Sequence, residues 1–373
     1  MSPSRLIMRT VARSLRATLS CAAIAGATVG VAQAVPGSAD WKDECVGRMQ
    51  LSLPGGADIA ATSEKTLAAE LLRGSAQPAT VFADGQRVAG DSRLGFGGAL
   101  MISHPIDTPA FAAMATKLRV TREGAKNRVQ KNPTEDNGNR VVFAIPQTKS
   151  PASVAWRVNS AYALLVRIGD SAIYWSGKAD PIEEAEQTAF ADIQRSQPRQ
   201  VFSVPAQAGV CAPYVFIPDG GQRRRDIRVT YRLKDQPDVT VWLADSNASA
   251  PGPDQIASHF TAEYKTNFFW TQGYQSHKKV KLLWRKLHDV QLDGRKGVSS
   301  FVELTRDDDT IDYGYLAVVR GDPDAKTDTP DLMLYVISDT KNAKDKGIEP
   351  ISKEALLEMA QTIAASVKRR PVQ

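Results

Sequence analysis

Cys45-Val-Gly-Arg-Met-Gln-Leu-Ser-Leu-Pro54-Gly-Gly and Cys211-Ala-Pro-Tyr-Val-Phe-Ile-Pro218-Asp-Gly-Gly are two short blocks built alike. Each starts at a cysteine, crosses an apolar stretch and ends on a proline near a glycine pair. Met49 to Leu53 alternates apolar and polar side chains, as a half-buried strand does, and Pro54-Gly55-Gly56 ends it. The blocks therefore predict the opening strands of two strand-rich halves. Cysteine usage and chain length work outward from there.

Residues 1–34 carry Arg5, Arg9, Arg13 and Arg16 and no acid, then an uncharged run from Ala17 to Val31, then Ala32-Gln33-Ala34. This is the layout of a secretory signal peptide, with cleavage expected after Ala34, whether translation begins at Met1 or Met8. The apolar run is about 15 residues, short of the roughly 20 that a spanning helix needs. A lipoprotein reading would acylate Cys21, but Leu19 stands one place too close to it. The expectation is an exported, periplasmic chain with no membrane span after cleavage.

Without its leader the chain has 43 basic and 41 acidic residues, a net +2, so the high isoelectric point belongs partly to the leader. No basic face suggests nucleic acid as a partner. Arg223-Arg224-Arg225 and the Lys278 to Lys286 region read as solvated faces or loops. About 339 residues exceed what one hydrophobic core usually serves, so two domains are expected, 41–205 and 206–373. Cys45 and Cys211 are an even pair in an exported chain, and a disulfide is the leading reading of them.

Strand and helix signals interleave in both halves. Tyr162–Ile168 and Ser171–Trp175 form a hairpin around Gly169-Asp170, and Arg140–Ile145 reads as a further strand. Ile227–Leu233 and Val239–Leu243 flank the turn Lys234 to Asp238, while Phe301–Leu304 and Tyr313–Val319 flank the acidic segment Arg306 to Asp312. Leu332–Ile337 is almost wholly apolar, the pattern of a central strand. Helices are expected over Thr62–Arg73, from Thr108-Pro109, from Asp180-Pro181, and from Ser352, the last with Leu356, Ala360, Ile363 and Val367 on one face. Lys368, Arg369 and Arg370 suit the C-terminal end of that helix, and Pro371 stops it. The fold class is α+β, two domains of mainly antiparallel sheet with packed helices, and a weak internal duplication is one reading of the repeated style.

The sequence contains no G-x-S-x-G, P-loop, H-E-x-x-H or G-x-G-x-x-G motif. Gly95-Phe96-Gly97-Gly98 reads as a tight bend. Asp307, Asp308, Asp309 and Asp312 lack the glycine and terminal glutamate of a calcium loop, and His104, His259, His277 and His288 form no ligand motif. No catalytic, metal or cofactor-binding residue is expected.

The cysteine blocks resemble the type VI secretion immunity proteins that protect against the fourth class of lipase effectors. The Cys45 block resembles the opening of their mature domain, with its Gly47-Arg48 pair and alternating strand. Gly209-Val-Cys211 and its strand resemble the start of their C-terminal domain, and Arg228 to Val239 resembles the family's strand pair around a Gln-Pro-Asp turn. Ala365 to Pro371 resembles the closing serine, apolar, basic and proline signature. The resemblance implies a non-enzymatic periplasmic protein whose two domains clamp a secreted phospholipase. Phe268, Phe269, Trp270 and Tyr274 are candidate anchors for such a partner, with Asp307 to Asp312 supplying charge. The competing reading is a two-lobed periplasmic solute- or envelope-binding protein.

Overall fold

The strand Arg225–Leu233 joins the two wings of the largest sheet among the described residues. One edge pairs antiparallel with Val239–Ser246, and the other carries Ala57–Ile59 and Leu94–Phe96. The fold is a computed structural model that describes residues 41–73, 79–88, 94–131, 153–158, 161–178, 187, 191–192, 195–221, 223–273 and 277–371. From the joining strand the sheet runs one way through Val239–Ser246, Asp331–Ser338, Ile311–Val319 and Arg295–Thr305, whose far edge holds Lys279–Leu282 and His288–Leu292. The other way it runs through Leu94–Phe96, Ala99–Pro105, Ser171–Lys178, Ala161–Ile168 and Val154–Val158. Among the described residues its one parallel contact links Thr62 to Ser103, so the class is α+β with mainly antiparallel pairing.

Both faces of this sheet are covered, which explains its apolar strands. In Asp331–Ser338 the side chains of Leu332, Leu334 and Val336 enter one core, and Tyr335 and Ile337 enter another. The first core spans both halves and takes Leu356, Met359, Ala360 and Ile363 from the helix Lys353–Ser366. Ser352 caps that helix by accepting from the Ala355 amide. The opposite face is covered twice. The helices Glu64–Arg73 and Thr108–Lys131 cover Leu165 and Tyr174, and the helix Ala262–Phe268 with the π turn Phe269–Gly273 covers Trp242 and Tyr335.

The hairpins predicted at Gly169-Asp170, at Lys234 to Asp238 and beyond Arg306 are present, and Gly169 has the positive φ its turn requires. The strand read at Arg140–Ile145 lies outside the described residues, as do the signal peptide and most of the helix read from Asp180. Three expectations are corrected. The final helix ends at Ser366, and Lys368–Arg369 leave it as a short strand on Met49–Gln50, because Asp293 accepts the Arg369 amide and the Arg48 carbonyl accepts that of Arg370. Gln50 does not face water but lies buried, donating to Asp43 at 2.5 Å. Asp312 belongs to the strand after the acidic turn, fully buried.

Candidate functional site

The two cysteine blocks meet. Cys45 and Cys211 are disulfide-bonded with Cα atoms 5.8 Å apart, packed with Phe216 away from solvent. Two residues on, the Gly47 amide donates to the Cys211 carbonyl at 2.8 Å and the Cys211 amide returns the bond at 2.7 Å. Gly47 has φ +58°, and a Cβ there would stand 2.2 Å from an Asp245 carboxylate oxygen, so only glycine fits.

The next residue starts a buried network of charges. Arg48 donates its amide to Asp245 at 2.7 Å and its guanidinium to Asp219 at 2.5 Å and Asp328 at 3.1 Å. Arg225 donates Nε to Asp245 at 2.7 Å and grips both Asp328 oxygens at 3.0 and 2.9 Å. Arg369 reaches the same carboxylate at 2.8 Å. Three arginines from the leading hairpin, the joining strand and the C-terminal strand thus converge on Asp328. A second buried pair, Glu44 with Arg199 at 2.5 Å, ties the leading strand to the loop before Cys211, where Phe202 donates its amide to Glu44. The run Arg223 to Arg225 is therefore not a solvated loop throughout, since Arg225 is buried where two carboxylates compensate it.

Burial would raise the Asp328 carboxyl, but the hydrogen bond and charge of Arg225, then Arg369 and Arg48, hold it well below the usual carboxylate range. Asp312 is also lowered: burial opposes, and His277, the Thr340 amide and Arg306 outweigh it. A carboxyl whose folded pKa is depressed gives stability that is complete above its unfolded pKa and fades as pH falls toward the folded one. Asp238, pushed up by burial, acts in the opposite sense. Urea midpoints followed by circular dichroism should hold from pH 7 to about 5 and drop progressively below about 4, the unfolded aspartate range. Asp328→Asn should flatten that drop, and an equally steep fall in the variant would show that Asp328 is not its source.

The histidines are dispersed. His104 sits between the Tyr214 hydroxyl at 3.2 Å and the Val81 carbonyl at 2.8 Å, His259 stacks on Tyr264, and His288 stacks on Trp284. His277 pairs with Asp312 at 3.0 Å, a contact that Arg306 shares at 2.5 Å. Among the described residues no three His, Cys, Asp or Glu side chains form a metal-holding group. No described helix is long and apolar enough to cross a membrane. Of the candidate anchors, Phe268 is exposed at 49%, but Phe269 and Trp270 are core residues, and Trp270 donates to Ser300 at 2.8 Å. Tyr274 lies outside the described residues. The exposed Asp308 and the pair Asp309 with Lys278 leave the acidic turn as surface charge.

A cleft of about 920 Å³ opens beside the buried network. Trp242, Tyr335, Phe269, Val318 and Met333 line its depth, and Trp242 and Tyr335 stack at 5.0 Å. Arg224, Arg228, Lys265 and Arg320 stand around it against Asp226 and Asp331. Sequence reasoning found neither cleft nor network. The only signal was a charge placed inside each otherwise apolar or glycine block, Arg48 in the first and Asp219 in the second.

Residues 203–372 match the family model of the Tle cognate immunity protein 4 C-terminal domain. Residues 203–372 thus carry the C-terminal domain of this immunity protein family. The immunity-domain match takes in the Cys211 block, the joining strand, the aromatic helix and the C-terminal strand, while Cys45 and Arg48 lie outside it. No curated protein matches the chain. Among solved structures it is similar to the Tle4-Tli4 complex at 16% identity and TM-score 0.56, over 90% of this chain and 99% of that one. It is also similar to the immunity protein TplEi of the T6SS from Pseudomonas aeruginosa, complexed with "L" peptide, at 16% identity and TM-score 0.51, over 89% and 99% of the two chains. The apo structure of TplEi gives 17% identity and TM-score 0.52 over 89% and 98%. At these identities the likeness is one of fold, and it runs through both halves of the chain.

Proposed function

We propose that this chain is a periplasmic immunity protein that binds a type VI secreted phospholipase and blocks it without catalysis. The observation that carries the reading is the family match over residues 203–372. The arrangement of residues agrees physically with an inhibitor. Tight binding of a folded partner depends on a surface already held in place, because ordering it on contact costs affinity. Here the leading hairpin, the joining strand and the C-terminal strand are fastened by a disulfide and by Arg48, Arg225 and Arg369 around Asp328. In this reading 41–205 and 206–373 are the two arms that hold the lipase between them, and cleavage after Ala34 releases the chain into the compartment where the lipase acts.

The test is co-expression of the full chain with the lipase encoded beside it, the lipase being directed to the periplasm. Survival and a co-purifying complex of the two proteins are the expected results. Killing that continues with no complex formed would refute the proposal.

A further inference from the structure

The cleft has two unlike ends. One end is apolar: Phe268, Met333 and the edge of Phe269 line it over a sealed floor in which Trp242 stacks on Tyr335 and Phe269 leans on the same tyrosine at 5.4 Å. At its charged end Lys265 reaches Asp331 only at 3.5 Å, and Arg320 already holds the same carboxylate oxygen at 2.5 Å. The other Asp331 oxygen accepts the Gly321 amide at 2.7 Å. Burial, and then the charges of Arg320 and Arg228, bring the Lys265 ammonium below its ordinary pKa even though Asp331 opposes the change. Such a cation gains from a further anion. Around the cleft five cations, Arg224, Arg225, Arg228, Lys265 and Arg320, stand with two carboxylates, Asp226 and Asp331, and Arg225 is neutralised behind the wall by Asp245 and Asp328.

The backbone around the apolar part narrows the choice of occupant. Val239–Ser246, Asp331–Ser338 and Ile311–Val319 are inner strands, each paired on both sides, so their ladders are already in use. A peptide laid there would find no free strand edge for its own amides and carbonyls, and burying these groups unpaired is costly. A hydrocarbon chain has no such groups. The volume of about 920 Å³ lies within the range of small-ligand sites, roughly 300–1,000 Å³.

We propose that this cleft binds an anionic amphiphile, its acyl chain along Phe268, Met333 and the edge of Phe269 and its carboxylate or phosphate against Lys265 and Arg320. Both kinds of head group occur among phospholipid breakdown products, as a free fatty acid or as a lysophospholipid. The binding itself requires no partner protein. Failure here and failure of the lipase survival assay are therefore separate results.

The experiment titrates the purified full chain with sodium oleate, with oleoyl lysophosphatidylglycerol and with uncharged oleyl alcohol, each below its aggregation threshold. Equilibrium dialysis and tryptophan emission report binding. One saturable site is expected for at least one of the two anions, with the alcohol about tenfold weaker or worse, the size expected for one lost charged hydrogen bond. The tighter anion identifies the carboxylate or the phosphate as the head group bound. Lys265→Gln should weaken binding by about tenfold while circular dichroism and the urea midpoint stay unchanged, and Lys265→Arg should restore most of it. Absence of saturable binding, equal binding of the alcohol, or a Lys265→Gln variant that binds as well as the parent would overturn the proposal. So would an acidic, phenylalanine-rich synthetic peptide that binds the cleft more tightly than both anions.

Discussion

Arg225→Met should lower the folding free energy by about 3–5 kcal/mol, the range for breaking a buried ion pair from one side. Arg225 is 3% exposed and supplies the Nε bond to Asp245 and both bonds to the Asp328 oxygens. A methionine fills the aliphatic part of the space but leaves Asp245, itself fully buried, without its guanidinium partner. The loss also reaches beyond the joining strand. Arg48 and Arg369 would then share Asp328 without the arginine that orients it, which loosens the leading hairpin and the C-terminal strand together. Urea unfolding followed by tryptophan emission measures the effect. Adding Asp245→Leu should recover part of it, because the stranded charge is removed, and the recovery is read as a coupling in a double-mutant cycle. A single-variant loss below about 1 kcal/mol would show that the network is not held by this arginine.

Cys45→Ala with Cys211→Ala should cost about 2–5 kcal/mol. The bond joins residues 166 positions apart, a long loop, so the chain-entropy model places it near the upper end, roughly 5 kcal/mol before strain and residual unfolded structure reduce it. The two backbone bonds between Gly47 and Cys211 and the Glu44–Arg199 pair remain in the variant, so the blocks should still meet in its folded state. Thermal unfolding of the variant against the oxidised parent gives the magnitude. Non-reducing peptide mapping of the parent, exported in cells, should recover the Cys45 and Cys211 peptides joined, and recovery of both as free thiols would contradict the bond. If the immunity proposal holds, the variant should protect co-expressing cells less well at raised temperature, in step with the folded fraction lost.

Much of the fold was legible because its signals are local. The turn at Gly169-Asp170, the cap at Ser352 and the apolar run Leu332–Ile337 each state their structure within a few residues. The corrected expectations have a common cause. Lys368 to Arg370 look like the basic end of a helix, yet they leave it because Asp293, Arg48 and Asp328 offer partners far away in sequence. Phe269 and Trp270 look like anchors beside a loop, yet a π turn folds them into the core against Tyr335 and Ser300. Arg225 looks like one of three solvated arginines, yet it alternates inward on its strand to meet carboxylates 20 and 103 positions away. In each case the deciding partner is distant along the chain, and no window of sequence contains it.

By itself the sequence determined the two cysteine blocks and their likeness, the antiparallel hairpins, the capped final helix and the resemblance that the family match over residues 203–372 bears out. These follow from periodicity, turn chemistry and residue type, which act over short range. Tertiary structure alone decided that one sheet runs from Val154 to Lys279 through the joining strand, that three arginines converge on Asp328, and that an apolar cleft with a cationic end opens beside them. The physical reason is that strand order and buried charge pairing are settled by which distant segments satisfy one another's hydrogen bonds and charges once water is excluded.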